Sequence, residues 1–371
     1  MSVRILSGDC RDVLKTLPDE SVHCVVTSPP YFGLRDYGAA GQVGLEPTHI
    51  EYVNALADTF EEVRRVLRAD GTCWLNLGDS YAGSWGAQGH RETPAVMSRN
   101  SIKNHPKTAA NTGSGSRTPG LKAKDLIGVP WRVAFALQDR GWWLRGDHVW
   151  GKPNGMPEST EDRPTRGHEY VFMLTKSARY WYDCEAVRTA PKASTITRLA
   201  QDVEAQEGSA RANGGAKTNG KMKAVAKSTI TGAPHGRHFL GDAIPEKERR
   251  SDKQRGHTRR HAGFNDRWDA MERNEQIEGG ANLRSIWWVS PAQFSEAHFA
   301  VMPDRVAEIC IRAGCPAGGV VLDPFGGAGT VGLVADRLQR DAILIELNPE
   351  YAAMAERRIR GDASLFAEVA R

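Results

Sequence analysis

The chain has 371 residues, 40% hydrophobic and 25% charged, enough for one large α/β domain with an insertion or for two domains, so full-length disorder is excluded. No run approaches the roughly 18 apolar residues of a membrane span, and the opening MSVRILSGDC lacks a basic-then-apolar leader pattern. Net charge is only +4, and six scattered cysteines without a CxxC pair argue against a zinc ribbon or a disulfide framework and fit a reducing cytoplasm.

Residues 22–26 form an apolar run stopped by Thr27-Ser28-Pro29-Pro30, which predicts a buried strand. Apolar residues at 53, 56, 60, 63, 66 and 67 predict a helix, with Gly71 as its C-cap, and residues 72–77 a second strand. Residues 83–124 then carry seven Lys/Arg against one Glu, in a Gly/Ser/Thr/Asn-rich stretch that reads as a loop. Pro130 opens a helix that ends before Gly141, and strands are expected at 142–150 and 169–175. A second basic stretch, 191–270, holds sixteen Lys/Arg against nine Asp/Glu. Beyond it come a helix at 303–313, a strand at Val320–Asp323, a helix after Gly329, a strand at 342–346 and a helix from Pro349. Such alternation predicts an α/β doubly wound sheet with helices on both faces. The basic stretches are either solvated surface loops or phosphate-backbone contacts that release counterions from nucleic acid.

The strongest motif is Asp323-Pro324-Phe325-Gly326-Gly327-Ala328-Gly329-Thr330. A strand runs into a Gly-rich turn and a helix N-terminus, where free N–H groups can meet a ligand. Gly327, Gly329 and Gly332 match GxGxxG, and Glu346 follows Gly327 by 19 residues, nearly a dinucleotide fingerprint. Asp323 at the strand end would repel a pyrophosphate but attract a ligand carrying an ammonium and a sulfonium. Too few residues follow Gly332 to complete a dinucleotide domain. S-adenosylmethionine therefore fits better than NAD.

The second motif, Thr27-Ser28-Pro29-Pro30-Tyr31, ends the first predicted strand. Its prolines remove two N–H donors and leave an acceptor-rich loop: the Ser28 hydroxyl and the Ser28 and Pro29 carbonyls. Tyr31 adds a flat face. Such a loop can accept from an exocyclic NH2 while a ring stacks on a base; alone it also fits a rigid strand-terminating turn. Asp79, at the end of the second predicted strand, is a candidate substrate contact near the same site.

Together the two motifs resemble the DNA amino-methyltransferases, the N4-cytosine and N6-adenine group. TSPPY resembles their (D/N/S)PP(Y/F/W) catalytic motif and DPFGGAG their DPFxGxG cofactor motif. The order, catalytic before cofactor, resembles the permuted β class. Gly8-Asp9 resembles the element whose acid lies near the cofactor adenine. Residues 298–303, HFAVMP, resemble the H-x-A-x-x-P element, and residues 149–154 with His168-Glu169 resemble the strands that close the catalytic half. The likeness covers roughly 1–82, 125–186 and 283–371.

The resemblance implies a Rossmann-like S-adenosylmethionine-dependent methyltransferase sheet with a catalytic half at 1–186, a loop-rich target-recognition insertion at 187–282 and a cofactor half at 283–371. It implies Ser28, Pro29, Pro30 and Tyr31 as catalytic residues. Asp9, Asp323, Phe325, Gly326, Gly327, Gly329, Thr330 and Glu346 would bind S-adenosyl-L-methionine, with Glu346 on the ribose. The substrate would be a base flipped out of double-stranded DNA, most readily cytosine at N4 because Ser28 replaces the Asp or Asn more usual for adenine; N6-adenine is the alternative. A catalytically silent DNA-binding module is the remote one. No metal is called for. A cognate restriction endonuclease is a possible partner, and the protein is expected in a bacterial or phage-infected cytoplasm as a monomer or homodimer.

Overall fold

The computed structural model describes residues 2–34, 37, 39, 41–82, 118–190, 280–292, 301–362 and 368–370. Most of both basic stretches and residues 298–300 of the HFAVMP element lie outside the described residues. In chain order the elements are β1 (Ser2–Ser7), α1 (Cys10–Val13), β2 (Val22–Thr27), α2 (His49–Val66), β3 (Leu67–Leu77), α3 (Val129–Asp139), β4 (Trp143–Gly151) and β5 (His168–Thr175). They continue with β6 (Ile286–Trp288), α4 (Asp304–Gly314), β7 (Val320–Asp323), α5 (Thr330–Arg337), β8 (Asp341–Glu346), α6 (Pro349–Asp362) and β9 (Glu368–Ala370).

The strands form one sheet in the order β6-β4-β5-β3-β2-β7-β8-β1-β9. Neighbours from β3 through β9 pair in parallel, and β5 is antiparallel to both β3 and β4. Alternate residues of the central strands feed two cores, as the two-residue period of a strand requires. Val25, Leu75, Leu322 and Ile343 pack on one face under α2 and α3. Val26, Trp74, Val321 and Leu344 pack on the other under α4, α5 and α6. The sheet is thus covered on both faces, and β2, β7 and β8 read as nearly unbroken apolar runs for that reason.

Helix α2 begins with a capping box: the Glu51 N–H donates to Thr48 Oγ1 at 3.2 Å and the Thr48 N–H to Glu51 Oε2 at 2.9 Å. Its end corrects the sequence reading. The helix stops at Val66, Leu67 is already extended, and Gly71 lies within β3 rather than at a C-cap. A Cβ at Gly71 would meet the Leu67 side chain at 2.5 Å, so the glycine is there for close packing. The strand pairing jumps from Val22–Leu67 to Cys24–Thr72, and residues 68–71 bulge out between the two registers.

The chain divides into two units, Met1–Val187 with Leu283–Arg371, and Arg188–Asn282. Every strand of the described sheet belongs to the first. In the second, the Thr189 and Ala281 N–H groups each donate to the other's carbonyl at 2.9 Å, so the two ends of the intervening segment lie side by side.

Candidate active site

Strands β2 and β7 run side by side in the middle of the sheet, and the chain leaves them in opposite directions, from β2 toward β3 and from β7 toward β8. That switch opens a crevice at their carboxyl ends, where open α/β sheets bind ligands. The two sequence motifs end on this crevice. Thr27 Oγ1 donates to Asp323 Oδ1 at 2.6 Å across 296 residues of chain. The Phe325 N–H donates to the same oxygen at 3.0 Å.

The Gly-rich turn holds its shape through absent side chains. The Gly326 N–H donates to the Ile345 carbonyl at 2.8 Å, and a Cβ there would press on Leu344. Gly329 has φ +76°, and its Cβ would lie 2.8 Å from that of Ala355, so α5 starts against α6. The Gly327 and Asn348 N–H groups donate to the two oxygens of Glu346 at 2.7 and 2.8 Å. Arg358 donates to Thr330 Oγ1 at 2.8 Å. Burial pushes Asp323 up to about 7, against the lowering effect of its Thr27 and Phe325 hydrogen bonds. Burial also raises Glu346. Two desolvated carboxyl groups at adjacent strand ends make a cleft that favours a cation and hydroxyl donors over an anion.

Strand β1 pairs with β8 up to Ser7 and Glu346, and the Gly8 N–H donates to the Glu346 carbonyl at 2.9 Å. This brings Asp9 to the rim beside Glu346. Asp9 caps α1 and pairs with Arg11, whose guanidinium hydrogen bonds hold the carboxyl below its ordinary range. Arg11 also donates to the Gly41 carbonyl at 2.7 Å, tying the 41–44 loop to the same wall.

On the opposite side, Tyr52 Oη donates to the Pro30 carbonyl at 2.8 Å and fixes the proline turn. Tyr31 does not stand free as a flat face. Its ring lies against Gly78, where a Cβ would fall 2.5 Å away. Its hydroxyl donates to Glu169 Oε2 at 2.6 Å and lies 3.2 Å from Asn76 Oδ1. Ser28 Oγ donates to Tyr31 Oη at 3.4 Å. Asn76 Nδ2 donates to Glu169 Oε2 at 3.1 Å and to the Tyr170 carbonyl at 3.0 Å. Lys152 pairs with Glu169 and sits 4.6 Å from the centre of the Trp150 ring.

Of the twelve predicted site residues, eleven line one cleft: Asp9, Ser28, Pro29, Pro30, Tyr31, Asp323, Phe325, Gly326, Gly327, Thr330 and Glu346. Gly329 lies behind the wall. Asn76, Trp150 and Glu169 line the cleft too. The sequence reading gave Asn76 no role, although a lone amide in the apolar run 72–77 is a signal that a partner awaits it. The fixing roles of Thr27 and Tyr52 were also missed.

The remaining conspicuous residues have plainer places. Asp79, weighed as a substrate contact, is spent on structure: Oδ1 accepts from the Ser80 and Val129 N–H groups at 2.9 and 3.0 Å. Trp142, Trp150 and Trp287 are buried, whereas Trp143 and Trp288 are exposed. Cys310 and Cys315 are buried, and desolvation raises both thiols, Cys315 to about 12. Among the described residues, no three His, Cys, Asp or Glu side chains are grouped to hold a metal ion.

Comparison with known proteins gives concordant results. A family model described as DNA methylase matches residues 22–357. Type II methyltransferase M.Cfr9I of Citrobacter freundii is 37% identical over 96% of this chain and 88% of its own length. Type II methyltransferase M.SmaI of Serratia marcescens is 36% identical over 96% of this chain and 91% of its own. Among solved structures, the DNA modification methylase TTHA0409 of Thermus thermophilus, complexed with S-adenosyl-L-methionine, covers 100% of both chains at 20% identity and TM-score 0.50, a likeness of fold.

Proposed function

The chain belongs to the N6/N4 DNA methylase family, and from that membership we propose that it is a sequence-specific enzyme that methylates the exocyclic amino group of a flipped base in double-stranded DNA, cytosine at N4. The single observation that carries this reading is the Thr27–Asp323 hydrogen bond. It fastens an acceptor-rich proline turn to a desolvated acidic pocket, side by side in one cleft.

The residues present fit S-adenosyl-L-methionine, the family's methyl donor. Asp323 and Glu346 are buried carboxyl groups that a cationic ligand relieves, and Glu346 already accepts two N–H donors in the manner of a hydroxyl-binding acid. The bound group would rest against Phe325, Gly326 and Gly327, with Asp9 toward its adenine and Thr330 beneath. It supplies an electrophilic methyl on a sulfonium. The chain's own work is to hold the base. An amino group conjugated to a pyrimidine ring is a poor nucleophile, because its lone pair is delocalised. Ser28 Oγ and the Pro29 carbonyl accept its hydrogens and favour a more tetrahedral nitrogen, with the lone pair aimed into the pocket. Placement and fixed acceptors carry the rate. No cysteine nucleophile is involved.

Ser28 also favours cytosine over adenine in this reading. A short neutral hydroxyl accepts from the smaller ring's amino group without a second buried carboxylate. The partners are double-stranded DNA and a cognate restriction endonuclease, and the setting is the bacterial cytoplasm. The test compares the wild-type protein with Ser28→Ala, using labelled methyl donor and mixed genomic DNA. Ser28→Ala is expected to lose roughly 10²-fold or more in transfer rate, with cofactor affinity by calorimetry within about threefold. An unchanged rate, or a wild-type protein that binds NAD in preference to S-adenosyl-L-methionine, contradicts the proposal.

A further inference from the structure

Methylation of an amino nitrogen leaves a surplus proton on it, and the cleft contains a path for that proton. Three hydroxyl and carboxyl groups stand in sequence: Ser28 Oγ at the turn, Tyr31 Oη at 3.4 Å from it, and Glu169 Oε2 at 2.6 Å beyond. Ser28 donates toward Tyr31 and Tyr31 toward Glu169, so the hydroxyl hydrogens point away from the cleft. The Ser28 oxygen keeps lone pairs for an incoming N–H. Asn76 Oδ1 competes for the Tyr31 hydrogen, but at 3.2 Å and without charge it is the weaker acceptor. Asn76 Nδ2 instead donates to Glu169 and aims its carboxylate.

We propose that Glu169 is the terminal acceptor of a Ser28–Tyr31–Glu169 proton chain that relieves the amino nitrogen of its proton. The proposal rests on the amino-methyltransferase reading. The N–H bond breaks with its electron pair remaining on nitrogen. Ser28 Oγ takes the proton and passes its own to Tyr31 Oη, and Tyr31 passes its own to Glu169 Oε2. Ser28 and Tyr31 end unchanged, Glu169 ends as a neutral acid, and solvent removes the proton at the partly exposed Lys152–Glu169 pair. Glu169 is therefore a positioning and proton-accepting group that acts through Tyr31.

The arrangement also accounts for Ser28 standing where relatives carry an acid. The negative charge is present, but two hydrogen bonds back, on a strand that reaches the turn only through β3–β5 pairing. The titratable and charged groups facing Glu169 are Lys152, Tyr31 and His168. Lys152 keeps Glu169 ionised. Burial and the nearby Glu169 raise Tyr31 well above the ordinary phenol, so it passes a proton without resting as a phenolate. Burial lowers His168 below the ordinary imidazole, which leaves it neutral near pH 7.

The experiment measures single-turnover methyl transfer to duplex DNA for the wild type, Glu169→Gln and Tyr31→Phe, with calorimetric cofactor affinity and thermal melting in parallel. Both variants keep the side-chain shape and remove one link. A wild type that transfers no methyl group removes the underlying reading and is recognised separately from failure of the relay. With an active wild type, each variant is expected to lose about 10²-fold in the transfer step, with cofactor affinity and DNA KM within about threefold. The pH profile is the decisive readout. The wild-type rate should be flat across roughly pH 6.5–8.5, whereas the variants should climb with pH as solvent hydroxide replaces the missing acceptor. Variants within threefold of the wild-type rate overturn the proposal, as do slow variants whose pH profile stays flat. Should Glu169→Gln fail to fold, Tyr31→Phe decides alone.

Discussion

Asp323 is the residue whose chemistry is most exposed to experiment. Its folded carboxyl titrates near 7, above the ordinary aspartate near 3.9, because burial disfavours its charge. The folded protein therefore binds more protons than the unfolded chain between these values, and the unliganded protein loses stability as pH rises from about 4 to about 7. The full effect is up to roughly 4 kcal/mol. A cationic ligand reverses the balance by favouring the ionised form. Cofactor affinity should accordingly strengthen as pH rises from about 6 to about 8, and Asp323→Asn should bind weakly at both values with no such slope. Calorimetry at the two pH values reads both. Equal slopes for wild type and variant would remove Asp323 from the pocket.

At the scale of elements, the strand–turn–helix from β7 to α5 depends on glycine for two separate reasons, and Gly329 carries both. Its φ of +76° disfavours any side chain, and the missing Cβ makes room for Ala355 of α6. Gly329→Ala should cost roughly 1–3 kcal/mol of stability, seen as a lowered Tm, and weaken cofactor binding although Gly329 does not line the cleft. This turn was legible in the sequence because a short apolar run, an acid and a glycine cluster coincide. Strands β2, β7 and β8 were legible for the same physical reason: buried on both faces, they lack polar interruptions. Strand β1 was not, since Arg4 interrupts a six-residue segment, and β6 and β9, three residues each, carry too little pattern. Gly71 misled because a glycine after a helical stripe reads as a cap, while here it serves sheet packing. Glu169, Asn76 and Lys152 are lone polar residues on or beside three strands. Only the pairing of Leu77 with Tyr170 and of Gly151 with His168 brings them together, and that register is not written in any one segment.

At the scale of the whole molecule, a sheet assembled from the two ends of the chain leaves the middle available for another task. The Thr189–Ala281 pairing holds the ends of residues 191–279 together, so a short linker can replace that segment without stretching the strands on either side. We expect such a deletion to keep cofactor affinity while losing site-specific methylation. We also expect full-length binding to duplex DNA to fall steeply with salt, the signature of phosphate contacts by the basic stretches. Gel-shift titrations across salt concentrations and sequencing of methylated sites test both. Unchanged site choice after the deletion would place target recognition elsewhere in the chain.

The most direct measurement is made on the product. The protein is incubated with unmethylated genomic DNA and S-adenosyl-L-methionine labelled on the methyl group, the DNA is digested to nucleosides, and the label is located by mass spectrometry. We predict labelled N4-methylcytosine, abolished by Ser28→Ala. Labelled N6-methyladenine would move the target base while leaving the amino-group chemistry intact; label on ring carbon, or in no nucleoside at all, would contradict the account.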